Sequence, residues 1–391
     1  MLTDGLARVR DRLARAAQSP SDGKAVLFVV AIAVGFLLLT TLLHLPHGRE
    51  HWSADFRTAH WSKHPDTQHK RIALIYVTEK TLEAYPYLSP TDRQLLADLV
   101  KAVDATGPAA IGFDFIIDRP TEPAKDAALF AALREAKAAV VVGAVNEDAH
   151  APGGGHSYQA DYLAKVNRSI GHLHFEGVHR SKVIIVDNVI RLMAKPNTSR
   201  SYPAAFAEQL AQKAGSYPKP KSEYISWLLA PVDKSETFLT LSAEQVLGRS
   251  TGPALPLKDM LNDRIVLIGG NFSDRDQHLI PLSVSDGRRY PGLFIHGQIL
   301  AQIIDGRSLS TLSIWVQAII YLLATAIGFW VGRRQTKIHL LTELVSVMVL
   351  VGVGILAFIY AHLIFPYTGV LLTWLAGVSA GYYSRPHHRV A

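Results

Sequence analysis

Two sets of residues in this chain have the types and spacing to do chemistry. The first is a group of carboxylates, Glu79, Asp114 and Asp118, placed at the ends of two short apolar runs, RIALIYV at 71–77 and PAAIGFDFIID at 108–118. Runs this short, without polar alternation, read as strands covered on both faces. A helical pattern over 89–104 joins them, which makes a βαβ unit with parallel strands and a right-handed connection. The carboxyl ends of the two strands then sit side by side, and in open α/β sheets ligands bind in the crevice beyond such ends. Glu79, Asp114 and Asp118 are therefore candidates to contact a ligand. A second use of Asp114 is open as well: an Asp after a strand readily caps its own loop by accepting from backbone N–H groups.

The second set is made of metal-ligand types. Asp274, Asp276 and His278 have D-x-D-x-H spacing, and alternate residues of an extended segment face one way. They could offer hard oxygens and one imidazole to a metal, or form an ordinary turn after a buried strand. His172 and His174 form an H-x-H pair that lacks a third fixed ligand. Neither set is sufficient for a metal site, so no metal and no cofactor is expected. Enzyme signatures are absent too: there is no H-E-x-x-H, no Walker loop and no G-x-S-x-G. The chain has no cysteine, which removes thiolate catalysis, zinc thiolates and disulfides. Its net charge of +7 is spread rather than clustered, which gives no support to nucleic-acid binding.

The elements that must hold these residues divide into a polar middle and apolar ends. The chain of 391 residues is 49% hydrophobic, and its mean hydropathy is +0.15. Residues 1–24 are basic, with Arg8, Arg10, Arg12, Arg15 and Lys24, and Leu2, Leu6, Val9 and Leu13 recur at helical spacing among them. They read as an amphipathic helix on the membrane face or as a solvated tail. Residues 25–43 are continuously apolar, close to the ~20 residues of a spanning helix. No small-x-small pattern follows, so this run is expected to stay as an anchor rather than be cleaved. Further spans are expected over 311–332, 338–364 and 369–384, with a cytoplasmic tail at 385–391. Arg333, Arg334 and Lys337 mark one cytoplasmic turn, and the FPYT turn at 365–368 carries no cation. Four transmembrane helices then leave both termini inside and the 44–310 domain outside the cytoplasmic membrane, in the periplasm of a bacterium. Gly377 and Gly381 form a small-xxx-small pair that either seats another helix or arises by chance.

Within 44–310, strands are expected at 138–144 and 264–269, with 169–175 and 182–186 as a further pair, a turn and strand at 187–193, and another strand at 224–229. Helices are expected over 123–137, 201–214, 243–247 and 293–305, and a loop over 146–158. Strands alternating with helices predict an α/β domain with a mixed, mainly parallel sheet flanked by helices. The histidines His44, His47, His51, His60, His64 and His69 crowd its start, and the repeated dipeptides His51-Trp52 and His60-Trp61 suit an aromatic belt at the membrane surface.

The order of these pieces resembles the second type of CHASE domain, an extracellular sensory domain associated with cyclases and histidine kinases. The matching parts are ADFR, IALIYVTEKTL, SPTDR, AAIGFDFIID, KDAALFAAL, VDNVIRLM, RIVLIGGNFSDRDQHLIPLS and YPGLFIHGQILAQIIDG. One span before them and three after complete the likeness. The resemblance departs at Thr78, which stands where an acid directly after the first strand is usual, with Glu79 following. It singles out Arg57, Arg93 and Arg191 as arginines inside its motifs. Arg93 starts a helix, where the dipole does not favour a cation, so it needs a partner. An internal ion pair with Asp114 or Asp55 is preferred over a bound anion. His296, in PGLFIHG, reads as a buried structural histidine. The resemblance implies a non-catalytic sensor that binds a small ligand outside the cell. With no output module after the last span, it would signal through its helices to a separate protein effector in the inner membrane. The alternative is an accessory or scaffold subunit of a larger membrane complex, and either can be a homo-oligomer.

Overall fold

The computed structural model describes residues 27, 29–36, 38, 47–147, 155–175, 188–194, 198–215, 217–218, 222–334 and 340–384. The expectations for the segment 1–24, the strand 182–186, Lys337 and the tail 385–391 lie outside these residues. The chain divides into two compact units: residues 58–181 with 186–309, and residues 1–57, 182–185 and 310–391.

The first unit is a doubly wound α/β domain. A helix unforeseen in the sequence, α1 (His47–Trp61), precedes the sheet in the chain; its residues 47–57, with the ADFR motif, belong to the other unit and 58–61 to this one. The elements then follow as β1 (His69–Thr78), α2 (Glu79–Leu82), α3 (Arg93–Asp104), β2 (Ala110–Asp114), α4 (Pro123–Glu135) and β3 (Ala139–Ala144). Next come α5 (Gly155–Val166), β4 (Ser169–His172), α6 (Phe206–Ala214), β5 (Phe238–Ser242), α7 (Ala243–Val246), α8 (Leu257–Leu261) and β6 (Ile265–Asn271). The unit closes with β7 (Gln277–His278), α9 (Ser283–Asp286), β8 (Tyr290–Pro291) and α10 (Gly292–Asp305).

The six-stranded sheet has the order β4-β3-β2-β6-β1-β5, and its pairings are all parallel. Two expectations are corrected here. The sheet is parallel rather than mixed; the antiparallel pairing lies in the separate β7–β8 ribbon. And β1 and β2 are not adjacent, because β6 runs between them, pairing Ile72–Thr78 on one side and Ala110–Asp114 on the other. The chain steps outward from β2 to β4, returns to the far edge at β5, and fills the central gap last. An apolar run such as IVLIG is comfortable only there, covered on both faces.

Alternation sorts each strand into two cores. Ala73, Ile75 and Val77 of β1 face a cluster with Leu95, Leu99 and Val103 of α3, Leu129 and Leu133 of α4, and Tyr162 of α5. Ile72, Leu74 and Tyr76 face the opposite cluster with Phe206 and Leu210 of α6 and Leu293, Ile299 and Leu300 of α10. Each such aliphatic side chain withdrawn from water contributes about 1.5–3 kcal/mol before the entropy of ordering is subtracted.

Other local readings need correction. The helix expected from 89 starts at Arg93, because Asp92 is its N-cap and accepts from the N–H groups of Gln94 and Leu95. The expected loop 146–158 ends early, since α5 begins at Gly155. Residues 224–229 are not a strand. Their backbone is held partly by isolated bonds to other segments, with Ile225 N donating to Arg191 O (2.9 Å) and Leu229 N to Lys63 O (3.0 Å), and partly by two glutamines of α10, neither exposed at all. Gln298 accepts from Leu228 N (2.9 Å) and donates to Leu228 O (3.0 Å). Gln302 accepts from Ser226 N (2.7 Å) and donates to Tyr224 O (3.0 Å). Four residues of helix rise ~6 Å and two residues of extended chain rise ~6.6 Å, so the two amides match the repeat of a strand and replace it.

In the second unit, residues 29–36 are helical, and β9 (Ser310–Thr311), α11 (Ile314–Arg334), α12 (Leu340–Ala361), β10 (Leu363–Ile364) and α13 (Tyr367–Tyr383) follow the α/β domain. By length and composition, two helices among the described residues can cross a membrane: α11, and α12 over Leu344–Ala361. Four were expected. With 17 residues, α13 spans only ~25 Å, and the run at 25–43 is described only in part. The small-residue pair does seat a helix. Gly377 and Gly381 of α13 lie against the backbone carbonyls of Thr325 and Phe329, and Gly328 and Gly332 of α11 lie against those of Trp374 and Val378. A Cβ on Gly328 would stand 2.6 Å from Trp374 O. Small residues on both helices thus let the backbones meet. Buried Thr325 and Thr373 satisfy their hydroxyls on the carbonyls of Tyr321 and Gly369, both at 2.8 Å.

Candidate functional site

The carboxyl edge of the sheet opens onto a cavity of about 700 Å³. Asp114 and Gly270, at the ends of β2 and β6, line it together with residues that follow β2, β3, β4 and β6 and with Ser89, Pro90, Thr91 and Arg93 at the start of α3. A glycine in β6 makes room for the acid: a Cβ on Gly269 would stand 3.2 Å from Asp114 Cβ and 3.3 Å from its Oδ2. The apolar wall is Phe115, Leu173, Phe175, Ile190 and Phe272.

Asp114 is the central polar group. Among the described residues its carboxyl accepts no hydrogen bond. Burial holds its pKa well above the ordinary carboxylate value, and the charge of Asp276 raises it further. Asp276 itself has a left-handed backbone (φ 52°). Its Oδ2 accepts from Gly292 N (3.1 Å), at the start of α10, and its Oδ1 lies 2.8 Å from His278 Nε2. Asp276 and His278 both line the cavity.

Arg93 also lines the cavity and is 2% exposed. Its expected partners were Asp114 or Asp55; the partner is Asp126, with Nε 3.6 Å from Oδ1. That pair is loose because Asp126 already accepts from Thr121 N (2.8 Å) and Thr121 Oγ1 (2.7 Å). Arg93 Nη1 donates to Thr91 O at 3.2 Å, while Nε and Nη2 are buried without a hydrogen-bond partner. The cation is tolerated at the helix start because Asp92 caps the same turn, backed by Lys125 at 2.7 Å. Asp118 also lines the cavity. Arg119 bonds it through two nitrogens at 3.0 and 2.9 Å and holds its pKa below the usual range.

The other predicted residues fall elsewhere. Glu79 does not line the cavity. It accepts from Ser273 N (2.5 Å) and Ser273 Oγ (2.8 Å), tying the loop after β6 to the end of β1. The Ser273 N–H is the main reason its pKa is lowered. Arg191 is buried and donates from Nη1 to Val189 O at 3.4 Å; its neighbour Ile190 reaches the cavity instead. Asp274 faces Arg275 at 3.4 Å, outside the wall. The H-x-H pair is split, because β4 ends at His172: His172 is buried and His174 lines the cavity. Among the described residues no group of three or more His, Asp or Glu side chains could hold a metal ion.

His296 is buried as expected and also reaches the cavity. It packs between Phe175 (4.6 Å between ring centres) and Phe206 (5.1 Å). Burial, helped by His172 and His278, lowers its pKa to about 3, so it is neutral. Sequence reasoning missed Arg275, Asn146 and the aromatic wall. Those residues belong to distant segments, and only the strand order brings them together.

A family model, the CHASE2 domain, matches residues 27–332. Searches of curated proteins and of solved structures found no match.

Proposed function

The chain belongs to the CHASE2 domain family, a family of extracellular sensory domains, and on that premise we propose that it is a non-catalytic membrane sensor that binds a small ligand in the cavity at the carboxyl edge of its sheet. The observation that carries this reading is the cavity itself: it collects Asp114, Arg93 and Asp118 with an aromatic wall at the place where open α/β sheets take ligands. In this reading the α/β domain stands in the periplasm, anchored by the apolar run at 25–43 and by α11, α12 and α13. Support comes from the length and composition of α11 and α12 and from the arginines that end α11.

Bound ligand passes its state through the helices to a separate protein in the inner membrane. A ligand does this only by binding two conformations with different affinity. The test is a thermal-shift screen of the full chain in detergent against a library of small metabolites. The reading predicts compounds that raise the melting temperature of the wild type and fail to raise that of Asp114→Asn. A library without effect, or one acting equally on both proteins, contradicts it.

A further inference from the structure

The chemical balance of the cavity narrows the ligand, given that the cavity is a ligand site as proposed above. Arg93, Arg119 and Arg275 line it together with Asp114, Asp118 and Asp276. Asp118 and Arg119 neutralise each other, and Arg275 leans on Asp274. What is left is one under-paired cation and one under-paired acid in the same enclosure. The cation is Arg93, buried, with Nε and Nη2 making no hydrogen bond and only a 3.6 Å approach to an aspartate that is already bonded to Thr121. The acid is Asp114, whose carboxyl accepts no hydrogen bond among the described residues and on which another acid, Asp276, acts. Neither compensates the other: Asp126 and Asp118 act on Arg93, and Asp114 does not.

We propose that the cavity takes a free α-amino acid, its carboxylate directed to Arg93, its ammonium to Asp114 and Asp276, and its side chain against Phe115, Phe175 and Phe272. A buried guanidinium short of acceptors gains charge-assisted, bidentate bonds from a carboxylate. A buried carboxyl that keeps its proton because a second carboxyl stands beside it releases that proton when an ammonium arrives to pair with it. An anion alone would leave the Asp114–Asp276 pair unanswered, and a cation alone would leave Arg93 so. The cavity's volume, about 700 Å³, falls within the range of small-molecule sites and exceeds what one amino acid needs.

Isothermal titration of the full chain in nanodiscs with each of the twenty amino acids tests this. For the tightest, its deaminated acid and its decarboxylated amine are titrated too. The expected result is binding of at least one amino acid, with each single-charge analogue weaker by about tenfold or more. Asp114→Asn should weaken the amino acid by a similar factor and leave the deaminated acid unchanged. An acid or amine that binds as tightly as its amino acid overturns the zwitterion assignment while leaving a ligand site in place. Absence of binding by all twenty overturns it as well. The metabolite screen on the same protein then tells whether the sensor reading falls with it.

Discussion

Asp114 and His296 face one cavity and answer pH in opposite directions. Burial and Asp276 raise the Asp114 pKa well above its ordinary value, so the native state holds a proton that the unfolded chain releases near pH 4. From about pH 4 up to that raised value the native state binds more protons, and stability falls as pH rises. Burial and the neighbouring His172 and His278 lower His296 to about 3, against an unfolded value of about 6.5. Between those values the unfolded state binds more protons, and stability rises with pH. Asp114→Asn removes the first effect and keeps the second. Urea melts at a series of pH values should show the variant gaining on the wild type as pH rises from about 4 to 7. A difference that stays constant with pH contradicts the buried, protonated Asp114.

At the scale of elements, the segment 224–229 takes four of its backbone hydrogen bonds from two glutamines of α10. Gln298→Leu would leave both the N–H and the carbonyl of Leu228 without the partners they have now. Unpaired buried groups cost ~1–3 kcal/mol each, so a loss of about 2–5 kcal/mol is expected in chemical denaturation. A loss below ~0.5 kcal/mol would mean that the amide is not the partner. In the apolar unit, Gly332 lies against the Val378 carbonyl, so Gly332→Leu should force α11 and α13 apart. Overpacking of this kind costs ~1–3 kcal/mol, read as a lower melting temperature in detergent; an unchanged melt contradicts the close packing.

The elements also show what the sequence could reveal. β1, β2, β3 and β6 were legible because strands buried on both faces are written as unbroken apolar runs. β5 was not, because FLTLS is a short edge strand with a half-buried pattern. The stretch 224–229 has the composition of a strand because an extended backbone satisfied by glutamines makes the same demands as one satisfied by a strand. The insertion of β6 between β1 and β2 was invisible, since β6 lies some 150 residues further along the chain. Hence Asp114, Asp118 and Arg93 line one cavity, while Glu79, on the far side of β6, lies outside it. Arg191 was singled out by motif alone, and motif does not reveal which way a buried side chain points.

The whole molecule joins an extracellular sensory fold to apolar helices. Lys258 is exposed in the α/β domain and Arg334 is exposed at the end of α11. Because the chain has no cysteine, a single cysteine at either position gives an unambiguous label. A membrane-impermeant maleimide added to spheroplasts should modify Lys258→Cys and spare Arg334→Cys. The reverse pattern, or equal labelling, contradicts the proposed topology. In the proposed sensor the ligand acts at the sheet's carboxyl edge, where the segments after β1, β2 and β6 line one cavity.

Hydrogen–deuterium exchange of the full chain, with and without a compound that raises its melting temperature, tests that claim most directly. The account predicts slower exchange in the peptides covering 89–93, 114–119 and 272–278, all of which contribute to the cavity lining. Protection confined to other parts of the α/β domain, or none at all at saturating compound, would contradict it.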